Sequence, residues 1–329
     1  MILNVNTINK TNSTITNDKM GFTPSKYQQD ILDAVMNDTC NILVDAKAGS
    51  GKTSTLKLIQ NALAQRGEKC TILAFNKSIV AELEKKMPNK EMCNISTIPS
   101  IGLKFLMKYI CGQKHKWYLR DGKSKKDLPF LKKSSLVSRT RQICEEIYKE
   151  MLKTAVDDMY KSKLSEIEME SLHSSIISNL ADLCDSVRMH YDVEWDEYAN
   201  KINITEEAIQ HRLKLDNYTD LTEYIINNKI LNEKLNLQEI IRNTLQQRIN
   251  EFISLDGVEE NGNLYVGIEY IDMVFFPVIF SNRLAIPMSV LPYTKYIMID
   301  EAQDLNVAQQ KLLKRLYTNG TRYIFVRRF

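Results

Sequence analysis

Residues 46–53 read AKAGSGKT, and they lie between the apolar run NILV at 41–44 and a segment from Ser54 that predicts a helix. A strand that passes through a glycine-rich turn into a helix brings unpaired backbone N–H groups and the positive end of the helix dipole to one point. Such a point binds anions, phosphate above all. The stretch therefore predicts an α/β fold with a phosphate-binding loop for a nucleoside triphosphate.

The side chains of this loop suit the triphosphate. Glycines at 49 and 51 let the backbone approach phosphate oxygens, and Lys52 neutralises the β and γ phosphates. The Thr53 hydroxyl suits Mg²⁺, which prefers oxygen ligands. The usual pattern begins with glycine where this chain has Ala46, a small departure at the end of a strand. The predicted phosphate-binding residues of the loop are Ala48, Gly49, Ser50, Gly51, Lys52, Thr53 and Ser54.

A second part of the site is predicted near the C-terminus. The apolar run KYIMI at 295–299 is typical of a strand buried in a parallel sheet, and DEAQD follows at 300–304. Carboxylates at the C-terminal end of such a strand face the ligand crevice. Asp300 is suited to hold Mg²⁺ and Glu301 to accept a proton from the attacking water. Alone, the acidic cluster could equally be a solvated helix start, but the loop at 46–53 favours the catalytic interpretation.

The pattern along the chain predicts a discontinuous parallel-sheet lobe. Apolar runs near 41–45, 70–75 and 93–97 alternate with helical segments, and the runs at 295–299 and 322–326 complete the sheet. Three- and four-residue apolar spacing in the intervening region indicates helices whose apolar residues form a core. The predicted organisation is a disordered tail at 1–20, a lobe at 21–110 and 265–329, and a helical insertion at 111–264.

Composition limits the partners and the compartment. Net charge is only +3, but residues 114–141 carry ten Lys or Arg with Trp117 and Tyr118 among them. This stretch could bind a nucleic acid or be a solvated, mobile surface loop, and both readings stay open. The six cysteines have no metal-binding spacing, and neither a signal peptide nor a run of roughly 20 apolar residues is present. We therefore expect no membrane contact and a cytoplasmic location.

Six motifs resemble those of UvrD/Rep-type superfamily 1 DNA helicases, with phage, viral and archaeal forms most alike. In the family's order they are YQQDIL (27–32, motif Q), AKAGSGKT (46–53, motif I), ILAFNKS (72–78, motif Ia), STIPSIG (96–102, motif Ib), IDMVFFP (271–277) and DEAQDLN (300–306, motif II). The resemblance implies a RecA-like P-loop NTPase lobe with a mainly helical accessory insertion. It also implies ATP and Mg²⁺ as cofactors.

The resemblance assigns roles to particular residues. Gln28 would read the adenine edge, and Gln303 would sense the γ-phosphate or couple it to DNA. Lys52, Thr53, Asp300 and Glu301 would handle phosphate, metal and water. The track for single-stranded DNA, or for a junction of single and double strands, would be lined by Phe75, Asn76, Lys77, Thr97 and Ser100. Pro99 stands where the family usually has histidine, and the alternative for Phe75 is a buried aromatic at a strand end.

After the predicted strand 322–326 the family continues G-D-x-x-Q-A-I-Y as motif III, where this chain has Arg327-Arg328-Phe329. The resemblance therefore predicts the first half of a motor, truncated before motif III, which needs a separate second helicase lobe and has little activity alone. Two alternatives remain: a P-loop ATPase that is not a motor, and a catalytically silent lobe that binds nucleic acid.

Overall fold

The computed structural model describes residues 2–4, 23–47, 49–121, 128–231, 236–280, 295–317 and 320–328. The chain divides into two compact units. Residues Met1–Lys104 and Ile286–Phe329 form the first, here named the P-loop lobe, and Phe105–Ala285 form the second, here named the inserted unit.

The described residues form strands and helices that are numbered in chain order. The strands are β1 (Ile2–Asn4), β2 (Asn41–Ala46), β3 (Cys70–Ala74), β4 (Cys93–Thr97), β5 (Lys116–Leu119), β6 (Glu194–Asp196), β7 (Lys201–Asn203), β8 (Gly257–Glu260), β9 (Asn263–Ile268), β10 (Tyr296–Ile299) and β11 (Arg322–Arg328). The helices are α1 (Lys26–Asn37), α2 (Lys52–Gln65), α3 (Lys77–Lys86), α4 (Ile98–Gly112), α5 (Arg139–Met151), α6 (Lys153–Tyr160), α7 (Glu166–His190), α8 (Glu206–Asp216), α9 (Leu237–Ile253), α10 (Asp272–Ile279) and α11 (Val307–Leu316).

The P-loop lobe is built on one parallel sheet with the strand order β1-β2-β11-β10-β3-β4. This confirms the predicted α/β fold. One face of the sheet packs under α1 and α2 in a core that includes Leu32, Ile42, Leu56, Ile59, Ile72, Met298, Ile324 and Val326. Because all strands run in one direction, their C-terminal ends meet at one edge, where parallel sheets bind ligands.

The edge strand β1 differs from the expectation that residues 1–20 do not pack. Residues Ile2–Asn4 pair with Asn41–Leu43 of β2 in parallel. The remainder of the predicted tail lies outside the described residues. The physical reason is that the backbone of an edge strand such as β2 offers unpaired hydrogen-bonding groups to any extended segment.

The inserted unit is mainly helical, as predicted, with α7 the longest helix at 25 residues. It also contains a three-stranded sheet, β5-β9-β8, and the β6-β7 hairpin. In the sheet, β5 pairs in parallel with β9, so that Lys116 lies opposite Tyr265. The helical periodicity of the sequence gave no indication of these five short strands.

A buried network of charges sets the boundary of the inserted unit. Asp272, which is fully buried, accepts hydrogen bonds from Arg188 Nη1 at 3.0 Å and from Arg248 Nη2. Glu269 accepts a hydrogen bond from the Thr140 hydroxyl at 2.8 Å and forms an ion pair with Arg188. These contacts tie Glu269 and Asp272 to the helices of the inserted unit, in a segment that the sequence interpretation assigned to the lobe.

Candidate nucleotide-binding site

The loop after β2 has the backbone geometry of a phosphate cradle. Gly49 and Gly51 have φ values of 75° and 86°, which side chains with a Cβ rarely adopt. A Cβ at Gly49 would meet no atom within 4 Å, so the space beside this backbone is open for a ligand. The Ser50 N–H donates to the Lys47 carbonyl at 3.1 Å, which closes the turn. Ala48, a predicted member of the loop, lies outside the described residues.

The helix α2 begins at Lys52, directly after the left-handed Gly51. Thr53 and Ser54 therefore lie in its first turn, where backbone N–H groups have no partner within the helix. Glycine at the helix cap leaves these donors without a capping side chain. The N-terminus of α2 is thus arranged to bind phosphate, with the lysine and two hydroxyl groups beside it.

The structure brings Lys52 to the acidic end of β10. Lys52 Nζ lies 2.5 Å from Glu301 Oε2, although 249 residues separate the two in sequence. Gln303 Nε2 donates to the same carboxylate oxygen at 2.8 Å. The side chains of Lys52, Glu301 and Gln303, predicted separately, therefore form one connected group.

Asp300 and Glu301 differ in their electrostatic surroundings. Burial and the neighbouring Glu301 raise the pKa of Asp300 above its ordinary value. Burial would also raise the pKa of Glu301, but the hydrogen bonds from Lys52 and Gln303 outweigh it and lower that pKa. Glu301 is thus ionised and restrained, whereas Asp300 is the buried carboxyl whose charge a bound cation would stabilise.

The backbone fixes the orientation of these two carboxyl groups. Glu301 has φ 52°, a left-handed conformation that is uncommon for a residue with a side chain. Its N–H donates to Asp300 Oδ1 at 3.1 Å, while the Asp300 N–H donates to the Leu73 carbonyl of β3 at 2.9 Å. The strained turn therefore directs Glu301 toward Lys52 and leaves Asp300 at the sheet edge.

Gln28 lies beside the loop, on the first turn of α1. Its Oε1 accepts the Ser25 N–H at 3.0 Å, and the Ser25 hydroxyl accepts the Gln28 N–H, which together form a capping box. Gln28 Nε2 donates to the Thr55 hydroxyl of α2 at 3.4 Å. The amide plane of Gln28 is therefore set before any ligand arrives. The spacing of Ser25 and Gln28 is a capping-box signal that the sequence interpretation did not use.

A cleft of about 450 Å³ connects Gln28 with the phosphate loop. It runs along β2 and the loop, and its lining includes Tyr27, Gln28, Ile31, Asp45, Lys47, Ser50, Lys52 and Thr55. This volume suits a nucleotide, because ligand sites commonly occupy about 300–1,000 Å³. The oxygen donors Thr53 and Asp300 are of the kind that Mg²⁺ prefers, so the residues present fit Mg-ATP.

The predicted DNA-contacting residues lie at the same edge of the sheet, after β3 and β4. Phe75, Asn76 and Lys77 are exposed at the end of β3, so Phe75 is not a buried strand-end aromatic. The Asn76 side chain accepts the Ile79 N–H at 2.9 Å and caps α3. The exposed start of α3 thus combines a helix N-terminus with Lys77, as phosphate binding requires.

Thr97 differs from the other members of this predicted group. Its side chain is only 1% exposed, and its hydroxyl lies 2.7 Å from the Ser100 hydroxyl and accepts the Ser100 N–H at 3.3 Å. Thr97 therefore stabilises the first turn of α4 from inside the lobe. The half-buried Ser100 is the member of the pair that a ligand can reach.

The sheet order, the glycine-rich loop and the carboxylates of β10 together define a P-loop nucleotide-binding lobe. The family described as UvrD/REP helicase N-terminal domain matches residues 27–326, and the chain belongs to this family. It is a superfamily 1 helicase domain of the ATP-binding type, from a family of ATP-dependent enzymes that bind single-stranded DNA. A search of curated proteins found no match. Among the described residues, no helix combines the length and the apolar character needed to cross a bilayer.

Proposed function

We propose that the P-loop lobe binds Mg-ATP and couples its hydrolysis to movement along single-stranded DNA, together with a second helicase lobe. The contact of 2.5 Å between Lys52 and Glu301 is the observation that carries this proposal. It joins the phosphate-binding loop to the strand end that bears the acidic pair. Phosphoryl transfer requires a lysine at the phosphates and a carboxylate near the attacking nucleophile in one site, and this contact brings the two side chains together.

In this proposal each residue has a defined task. Lys52 and the N-terminus of α2 neutralise the phosphates, and Gln28 reads the base from its fixed amide plane. Bound Mg²⁺ would be held by Thr53 and Asp300 and would supply charge neutralisation at the β and γ phosphates. Glu301, released when Lys52 turns to the phosphates, orients the attacking water and takes its proton.

The sheet offers a direct link between nucleotide and DNA. Asp300 directly follows strand β10, and Phe75 and Asn76 directly follow β3, the neighbour of β10 in the sheet. The hydrogen bond from the Asp300 N–H to the Leu73 carbonyl ties the two strand ends together just before these residues. In this proposal a change in the metal-binding turn reaches the DNA track through the backbone pairing of β10 with β3.

Removing the charge of Lys52 tests nucleotide binding. We expect Lys52→Ala to weaken Mg-ATP binding about 100-fold, because charge-assisted hydrogen bonds to the phosphates are lost. Isothermal titration calorimetry of both proteins measures the effect. Lys57→Ala, in the same helix but not in the lining of the cleft, is the matched control and should bind normally. Equal affinities in the wild type and Lys52→Ala would contradict the proposal.

The salt dependence of DNA binding tests the proposed track. The affinity for single-stranded DNA should fall by about 0.7 log units per log unit of salt for each phosphate contact. We expect Lys77→Ala to reduce this slope by about one contact, because Lys77 is exposed at the start of α3. Fluorescence anisotropy at several salt concentrations measures the slope. Lys85→Ala, in the last turn of α3, should leave it unchanged; an unchanged slope for Lys77→Ala would remove Lys77 from the track.

A further inference from the structure

The strand β11 brings Arg328 to the phosphate loop. It lies between β2, which leads into the loop, and β10, which carries the acidic pair. In the register of β11 and β2, Arg328 is directly opposite Ala46, the first residue of the loop. The family pattern stated above has Gly-Asp where this chain has Arg327-Arg328, so the family resemblance assigns no role to this arginine.

The alternation of side chains places Arg328 on the face of the sheet that α2 covers. The core under α1 and α2 contains alternate residues of the three neighbouring strands, namely Val44, Met298, Ile324 and Val326. Successive side chains of a strand point to opposite faces, so the residue two positions after each core residue lies on the same face. Ala46, Asp300 and Arg328 therefore share the face from which α2 presents its N-terminus.

Arg327 illustrates the opposite orientation. It forms an ion pair with Asp45, its neighbour across β2, and lines a separate cavity beside Tyr323 and Phe325. The two consecutive arginines thus lie on different faces of the sheet, and Arg328 is on the face that α2 covers.

Arg328 is also connected to the catalytic group. Its backbone N–H donates to Gln303 Oε1 at 2.9 Å, and Gln303 donates to Glu301. The backbone at Arg328 is thus joined through Gln303 to Glu301, and the Arg328 side chain is exposed, where a ligand can reach it.

We propose that Arg328 binds the γ-phosphate of ATP, as a second cationic group opposite Lys52. This inference rests on the proposed function. Ile299 of β10 pairs with Phe325 of β11, so Val326 is the position opposite Asp300. Arg328 follows two residues later, roughly 7 Å further along β11. Gln28 and the base-binding cleft lie beside β2, whereas β11 lies between β2 and β10, so Arg328 is nearer to the acidic pair than the base site is. The last phosphate of the triphosphate, which ADP lacks, is the group that reaches it.

Comparison of ATP with ADP tests this assignment. We expect Arg328→Ala to weaken binding of a non-hydrolysable Mg-ATP analogue about tenfold, while Mg-ADP binding changes by less than about twofold. Arg328→Lys should recover most of the loss, since it restores the charge. Lys57→Ala, in α2 but not in the lining of the cleft, should leave both affinities unchanged. Calorimetry with the two nucleotides measures the ratio of the affinity for the ATP analogue to that for ADP. The melting temperature of each variant shows whether it is folded.

The outcomes separate the two proposals. If Lys52→Ala leaves binding of both nucleotides unchanged, the proposed function itself is wrong. If Lys52→Ala weakens binding but Arg328→Ala leaves the ratio of ATP to ADP affinity unchanged, only the role of Arg328 is overturned. An equal loss for both nucleotides in Arg328→Ala, with a lowered melting temperature, would identify Arg328 as structural and would also overturn the assignment.

Discussion

Asp272→Ala is expected to destabilise the inserted unit by about 3–5 kcal/mol. The Asp272 carboxylate is fully buried and accepts hydrogen bonds from Arg188, Arg248 and the Glu269 N–H. Its removal leaves two buried guanidinium groups with Glu269 as their remaining buried carboxylate. Leaving a buried charge without its partner costs far more free energy of folding than the ion pair itself contributes. The loss of stability should therefore be among the largest for any single substitution in this unit.

Tryptophan fluorescence measures this effect within the inserted unit alone. The chain contains two tryptophans, Trp117 and Trp195, and both belong to that unit. Trp195 packs edge-on against Phe280, at the end of α10, which begins at Asp272. Urea unfolding followed by fluorescence therefore reports the part of the chain in which the network lies.

Asp185→Ala is the matched control. Asp185 also forms an ion pair with Arg188, but its side chain is 38% exposed. Water can replace the lost carboxylate there, so a loss below about 1 kcal/mol is expected. A loss for Asp272→Ala that is no greater than the loss for Asp185→Ala would mean that the buried network does not stabilise the unit.

The sequence predicted those parts of the molecule that depend on local pattern. A strand, a glycine turn and a helix start adjoin one another in residues 41–54, so the phosphate loop can be recognised without knowledge of the fold. The parallel sheet follows from short apolar runs that alternate with helices. Lys52 and Glu301 could be placed in one site because C-terminal strand ends meet at one edge of a parallel sheet.

Features that depend on distant partners could not be predicted in this way. Arg188 and Asp272 are 84 residues apart, and general rules place such charged side chains at the surface. The β5 and β9 pair joins segments 149 residues apart, and β5 is only four residues long. The resemblance assigned Thr97 to the DNA track, but only the structure shows that its hydroxyl holds the first turn of α4 inside the lobe.

The helix caps show a further limit of motif-based prediction. Gln28 and Asn76 were assigned to ligands by resemblance, yet each also caps a helix of the lobe. Capping uses the Oε1 of Gln28 and the Oδ1 of Asn76, so a ligand would meet the amide nitrogens, of which that of Gln28 also donates to the Thr55 hydroxyl. A motif identifies the residue, whereas the structure determines which of its atoms is free to act.

Glu301→Gln is expected to have two opposite effects on the nucleotide site. Turnover of ATP in the presence of single-stranded DNA should fall by a factor of about 10²–10⁴, because an amide cannot accept the proton of the attacking water. Binding of Mg-ATP should become a few-fold tighter. Lys52 would no longer be held by a carboxylate at 2.5 Å and would be free to meet the phosphates.

Both effects have one structural cause, which is the contact between the Glu301 carboxylate and Lys52. Glu301 is hydrogen-bonded to both Lys52 and Gln303, and these bonds lower its pKa and thus its strength as a base. ATP must displace the Glu301 carboxylate from Lys52. This displacement weakens ATP binding, and it leaves Glu301 free to accept a proton. Phosphate release in a single turnover and calorimetry measure the two quantities. Glu84→Gln, which removes an exposed charge from α3, should change neither. Unchanged turnover would exclude Glu301 as the base, and weaker ATP binding would mean that the ion pair does not compete with the nucleotide.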